Sequence, residues 1–209
     1  MSLMPINISI KDKPVIIIGG GKVAERKAIK ILKYNAIVTV VSPQISESLL
    51  ELVNNRSIQW IRTEYHKKFL EKAFLIIAAT NDSVVNLSIY KDRKPHQLIN
   101  VVDHPDLSDF HMASTLQRGR LTISVSTEGA SPLLAKKIVN QISEEYGQEY
   151  EEYTEFLYHA RKRILEKISD KSKCHQFLKE LVDEEIINNS TRDQWFHDRM
   201  KDYMSEEKE

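Results

Sequence analysis

The chain has 209 residues, 41% of them hydrophobic, and its 30 lysines and arginines are balanced by 30 aspartates and glutamates. Zero net charge excludes a broad electrostatic pull toward nucleic acid or an anionic membrane, so an anionic ligand needs a local site. A single cysteine, Cys174, excludes a disulfide framework and a thiolate metal cluster. No apolar run approaches the roughly 18 residues of a membrane span, and the first residues lack the basic-then-apolar pattern of a signal peptide. The expectation is a cytoplasmic protein with neither nucleic-acid nor membrane partners and no metal site.

In chain order, "PVIIIG" (residues 14–19) is a short, continuous apolar run, the pattern of a strand buried on both faces. A helix follows, with Ala24, Ala28, Ile31 and Leu32 on one face. "AIVTVVS" (residues 36–42) predicts a second strand rich in β-branched residues. "SESLLELVNN" predicts a helix, and residues 57–61, 73–80 and 97–103 predict three more strands, with the helix "NDSVVNLSIYKD" before the last. Strands alternating with helices predict a parallel, doubly wound α/β sheet of the Rossmann type over residues 1–113. The pattern changes near Ser114. "RLTISVST" (residues 120–127) alternates strictly, with Leu121, Ile123 and Val125 on one face, which predicts a half-exposed antiparallel strand. A helix capped by Ser131 with Pro132 in its first position completes a small α+β module, residues 114–147. The charged remainder, residues 148–209, breaks at "SDKSK" and "NNST" and predicts three helices. Tyr146, just before it, and its Tyr150, Tyr153, Phe156 and Tyr158 fall at near-helical spacing, which fits packing better than a ligand clamp.

The glycine stretch Gly19-Gly20-Gly21-Lys22-Val23-Ala24 fits G-x-G-x-x-A between a strand and a helix, in the first βαβ unit. Gly19 permits a tight turn, Gly21 lets backbone approach a pyrophosphate, and Ala24 lets helix and strand pack closely. The helix N-terminus offers N–H groups and the positive end of its dipole to phosphate. An acidic residue is expected after the second strand to hold the ribose hydroxyls. Ser42, Pro43 and Gln44 stand there instead, with no arginine adjacent in sequence for a 2′-phosphate, so NAD is favoured over NADP. Thr80 and Asn81 in "ATND" end the fourth predicted strand beside this loop and are further cofactor candidates, whereas Asp82 suits a helix cap. Asp103 closes the fifth predicted strand, where ligands of doubly wound sheets bind. On its own it reads equally as a turn residue or as a proton acceptor. His104 and His111 flank the same loop but lack partners at metal-ligand spacing. "SVSTEGASP" is hydroxyl-rich and runs into a helix N-terminus, a setting for carboxylate groups. Ser124, Ser126 and Thr127 are candidates there, with Arg118 and Arg120 preceding the strand.

"IIIGGGKVAERKA", "VTVVSP", "IIAATND", "INVVD", "DFHMAS" and "ISVSTEGASPLLAKKI", in that order over residues 5–145, resemble the siroheme synthase N-terminal family. That family comprises precorrin-2 dehydrogenases, some of which are also sirohydrochlorin ferrochelatases. The resemblance implies a Rossmann domain, a dimerisation domain whose segments interlock in a homodimer, and a helical C-terminal domain. It implies NAD-dependent oxidation of the tetrapyrrole precorrin-2 to sirohydrochlorin, with Asp103 as the principal catalytic residue. His111 and Ala113 depart from the family pattern, so no role passes to His111. An additional iron-inserting activity and a non-catalytic NAD sensor are the alternatives.

Overall fold

The computed structural model describes residues 3–205, and the chain divides into two compact units, Met1–Met112 and Ala113–Glu209. The first unit holds five parallel strands: β1 (Pro14–Ile18), β2 (Ile37–Val41), β3 (Gln59–Ile61), β4 (Leu75–Ala78) and β5 (Leu98–Val101). Their order is β3-β2-β1-β4-β5, so the chain leaves the central β1 in one direction, then crosses back to continue on its other side. Helices α1 (Lys22–Leu32), α2 (Glu47–Asn54) and α3 (Ser83–Asp92) make the crossovers, with 3-10 turns at Lys67–Leu70 and Pro105–Leu107.

The continuous apolar runs are explained by two cores. Val15, Ile17, Val38, Val40 and Ile77 pack with Ala24, Ala28 and Ile31 of α1 and with Leu49 of α2. Ile18, Val41, Ile76, Ile99 and Val101 pack on the opposite face with Leu70 and with Ile89 of α3. The predicted strands are present, each trimmed at its ends. Gln97, expected to open β5, is a buried plug instead: its amide donates to the carbonyls of Leu70 and Ala73, and its oxygen accepts from Lys94 N at 2.8 Å. At the other end β5 stops at Val101, so Asp103 lies two residues beyond the strand rather than in it.

A polar seam runs along β5. Lys27 Nζ, from α1, donates to Asn100 Oδ1 at 2.7 Å, and Asn100 Nδ2 donates to the Phe110 carbonyl at 3.0 Å. Burial, helped by the charges of Arg26 and Lys30, pushes the Lys27 amine down to about 8.

The second unit opens with an antiparallel hairpin, β6 (Ser114–Arg118) and β7 (Leu121–Val125). The turn is made by Gly119, at φ +53°, and it is held to the following helical region by Arg120 N donating to Thr154 Oγ1 at 3.1 Å. Helix α4 (Pro132–Glu145) covers the hairpin through Leu116, Ala135 and Val139. Thr122, Ser124 and Ser126 are exposed, as the alternation requires. The partner strand β6 was not expected: "STLQR" carries one apolar residue and no period of its own, and only pairing with β7 reveals it.

Among the described residues, four helices follow where three were expected: α5 (Glu149–Lys167), α6 (Lys171–Glu180), α7 (Glu184–Ile187) and α8 (Arg192–Ser205). The additional one, α7, is a single turn set off by the reversal at Val182 and Asp183. Phe177 is the centre of this core, stacked on Tyr203 at 4.7 Å and on Phe196 at 5.5 Å, with Trp195 edge-on at 6.2 Å. Tyr153 is buried with its hydroxyl donating to the Leu181 carbonyl at 2.8 Å, and Phe156 meets Phe196 edge-on at 5.9 Å. Tyr158 differs, lying exposed under the Arg120 guanidinium at 3.6 Å. Cys174 is buried, its thiol donating to the Ile168 carbonyl.

Candidate cofactor cleft and active site

The glycine stretch bends directly out of β1. Gly19 adopts φ +123°, a region closed to most side chains, and a Cβ there would overlap the Ala79 carbonyl. Gly20 has no assigned role from sequence, yet a Cβ on it would overlap the Gln44 carbonyl and lie 2.9 Å from Ser42 Oγ. The loop is further tied down by Ser46 N donating to the Gly20 carbonyl at 2.9 Å, while Ser46 Oγ donates to Glu25 Oε2 at 2.6 Å. Gly21 contrasts with both, since no protein atom lies within 4 Å of the position its Cβ would take.

Gly21 is also the N-cap of α1 and supplies no side-chain cap, whereas α2, α3, α4 and α6 are capped by Ser46, Asp82, Ser131 and Asp170. The first turn of α1 therefore lacks a side-chain cap at the positive end of the helix, next to the open space at Gly21. A pyrophosphate fits this cradle, with backbone N–H groups of the first turn as donors. Lys22 is exposed beside it, Val23 is half-buried and Ala24 is fully buried against the sheet.

Ser42, Pro43 and Gln44 follow β2 immediately. Ser42 is buried, its N–H donating to Ile61 O at 3.2 Å and its carbonyl accepting from Trp60 Nε1 at 2.9 Å; Pro43 and Gln44 are exposed. Thr80 and the exposed Asn81 follow β4. Asp82 caps α3, with Oδ1 accepting from Val84 N and Val85 N. Glycine loop, Ser42 turn, Thr80 and Asp103 thus all sit just past the carboxyl ends of β1, β2, β4 and β5, around the point where the strand order reverses.

Asp103 Oδ1 accepts from Asn86 Nδ2 at 2.9 Å, and its Oδ2 lies 3.9 Å from His104 Nε2. Partial burial raises its pKa, but the Ser83 hydroxyl, its own backbone N–H, the Asn86 amide and the His104 charge together lower it, and the net direction is down. The carboxylate is therefore held ionised. Asn86, fully buried on α3, is the residue that sequence reasoning missed. His111 turns away to the Pro105 carbonyl at 3.4 Å. Among the described residues, no cluster of three His, Cys, Asp or Glu side chains is placed to hold a metal ion.

The remaining candidates belong to the second unit. Ser126 Oγ accepts from Glu128 N at 3.3 Å and Thr127 Oγ1 from Ser131 N at 3.0 Å, so these oxygens shape the turn, and their hydroxyl hydrogens are left to donate. Ser131 is the N-cap, accepting from Leu134 N at 3.2 Å. Arg120 is engaged by Glu155 at 2.6 and 3.2 Å, whereas the buried Nε of Arg118 has no hydrogen-bond partner.

This sheet order and uncapped glycine-bounded helix define an NAD-binding protein of the Rossmann class. Three family models match in sequence: "Putative NAD(P)-binding" over residues 6–114, "Sirohaem biosynthesis protein central" over 118–145 and "SirC C-terminal domain" over 150–195. The precorrin-2 dehydrogenase of Priestia megaterium is 31% identical over 198 residues, covering 95% of this chain and 98% of that protein. That of Bacillus subtilis (strain 168) is 32% identical over 161 residues, covering 77% and 99%. The solved structure described as "SirC, precorrin-2 dehydrogenase" superposes with a TM-score of 0.81 at 30% identity, covering 96% of this chain and 100% of that one. The chain belongs to the siroheme synthase N-terminal family.

Proposed function

We propose that the protein oxidises precorrin-2 to sirohydrochlorin with NAD as the hydride acceptor. The similarity to precorrin-2 dehydrogenases along nearly the whole of both chains carries this reading. The ionised Asp103, past the carboxyl end of β5 on the same edge of the sheet as the glycine loop, supplies its chemistry.

NAD, when bound, would supply the acceptor for a hydride from a reduced carbon of the macrocycle, becoming NADH. The chain's own residues do the rest. The α1 N-terminus and Gly21 hold the pyrophosphate, with Gly19, Lys22, Val23 and Ala24 shaping the cradle. Ser42, Pro43 and Gln44 bound the ribose side without the usual carboxylate, and Thr80 and Asn81 border the cofactor from β4. Loss of a hydride leaves one further hydrogen of precorrin-2 to go as a proton, which the Asp103 carboxylate would accept and pass to water, so that hydride and proton together balance the two-electron oxidation. Arg118 and the hydroxyls of Ser124, Ser126 and Thr127 are suited to the many carboxylates of the substrate.

The second unit is read as two modules, residues 114–147 and 148–209. In the first, α4 covers the two-stranded sheet yet carries the exposed Leu133 and Leu134. These exposed apolar side chains support a homodimer formed through this module. No helix of the described residues is long and apolar enough to cross a membrane, and we place the enzyme in the cytoplasm.

The test is an anaerobic assay with purified protein, precorrin-2 and NAD, following NADH and the tetrapyrrole spectrum, with and without ferrous ion. Wild-type protein should form NADH and sirohydrochlorin, and Asp103→Ala should bind NAD but lose turnover. Full activity in Asp103→Ala would remove the proposed role of the carboxylate. NAD binding without NADH formation in the wild type would make the protein a sensor.

A further inference from the structure

Helix α3 contradicts its own side chains. Val84 is 74% exposed, while Asn86, two residues on, is 0% exposed. Burying an amide is unfavourable unless each of its groups is bonded. Here all four are. Asn86 Oδ1 accepts from the Thr80 hydroxyl at 2.8 Å and from Thr80 N at 3.2 Å. Nδ2 donates to the Thr80 carbonyl at 3.2 Å and to Asp103 Oδ1 at 2.9 Å. An amide has two donor hydrogens and two acceptor lone pairs, so its capacity is used up. Three of the four bonds fix it to a single residue on the cofactor side of the cleft. The fourth reaches past the end of β4 to a partly exposed carboxylate that water would otherwise solvate.

We propose that Asn86 is a positioning residue: it locks the Asp103 carboxylate to the Thr80 segment and so presents one chosen oxygen to the substrate. This rests on Asp103 being the reacting carboxylate. Asn86 engages Oδ1, Ser83 and the backbone N–H of Asp103 add further donors to the carboxylate, and Oδ2, on the side of His104, is the oxygen assigned to the macrocycle. Because the other end of the amide is fixed to Thr80, that oxygen and the cofactor pocket move as one body. The groups that face the carboxylate from α3 are Ser83 and Asn86, neither of which titrates. His104, in the loop after β5, is the titratable group acting on it. Losing the Asn86 donor removes one of the bonds that keep Asp103 ionised, so the carboxylate would take up its proton at higher pH.

The experiment measures steady-state precorrin-2 oxidation by the full-length enzyme with NAD, across acid to mildly alkaline pH. It compares wild type, Asn86→Asp, Asn86→Ser and Asp103→Ala. Asn86→Asp keeps an acceptor for Thr80 but turns a second acceptor toward Asp103. Asn86→Ser is too short to reach the carboxylate. Both should lower kcat at neutral pH roughly ten- to hundredfold, with the acid limb of the profile moved to higher pH and NAD affinity retained. Asn86→Asp combined with Asp103→Asn should regain part of the melting temperature lost in Asn86→Asp, since donor and acceptor between residues 86 and 103 are exchanged while the Thr80 carbonyl stays without its donor, and should not regain turnover. If Asp103→Ala is inactive and both Asn86 variants show wild-type kcat or an unshifted acid limb, the inference fails while the role of Asp103 stands. Normal turnover in Asp103→Ala overturns both.

Discussion

The two units are built on opposite principles. In the first, the cleft is defined by backbone: carbonyls of Ala79 and Gln44 press on Gly19 and Gly20, and the first turn of α1 is left bare at Gly21. Side chains enter as a few buried, hydrogen-bonded amides, Asn86, Gln97 and Asn100. In the second, rings carry the structure, with Phe177 in contact with Tyr203, Phe196 and Trp195. A site made from backbone tolerates no added atom where it is tight and almost any where it is open. A core made from rings tolerates loss poorly.

The largest effect should come from Phe177→Ala, which removes a fully buried ring and is expected to cost about 3–5 kcal/mol. Thermal unfolding followed by calorimetry should show the transition of the helical unit lowered, while NAD titration still saturates. Simultaneous loss of NAD binding would erase the contrast between the units. Gly20→Ala is next, at about 3 kcal/mol, because the new methyl meets a carbonyl rather than a movable side chain. Gly21→Asp sharpens the same point. Aspartate is a favoured N-cap, so the variant should fold with unchanged or raised melting temperature, yet lose NAD affinity because a carboxylate occupies the place of the pyrophosphate. Undiminished affinity in a calorimetric titration would mean that the cofactor phosphates lie elsewhere. Smallest is Lys27→Met. The folded amine titrates at about 8 against its ordinary 10.5. Between those values the unfolded chain holds a proton that the folded chain has released, so wild-type stability should rise with pH relative to the variant. Melting temperatures of the pair that run parallel across that window would show that Lys27 is not perturbed.

The same contrast governs what can be read from the residues. "PVIIIG", "AIVTVVS" and "AFLIIAAT" declare a doubly covered sheet because apolar residues run on without alternation, and the glycines declare a loop because no other residue suits Gly19. Gly20 looked like filler, since its constraint comes from Gln44, which is close only after folding. Asn86 was illegible for a stronger reason: local periodicity would bury Val84, and only the pull of Thr80 and Asp103 reverses that choice. β6 was lost because one leucine makes no pattern. In the tail, spacing predicted packing for the aromatic residues, correctly for Tyr153 and Phe156, but could not separate Tyr158, whose partner Arg120 lies on the far side of the hairpin turn.

Cys174 has a practical consequence. The chain has one thiol, and it is enclosed among aromatic and aliphatic side chains with its hydrogen engaged. Maleimide reagents should therefore leave the native protein largely unmodified, and a cysteine introduced at exposed Ser124 would be the site that labels. The protein is, in effect, ready for a single-site fluorophore, which could report tetrapyrrole binding in real time without first removing a natural cysteine.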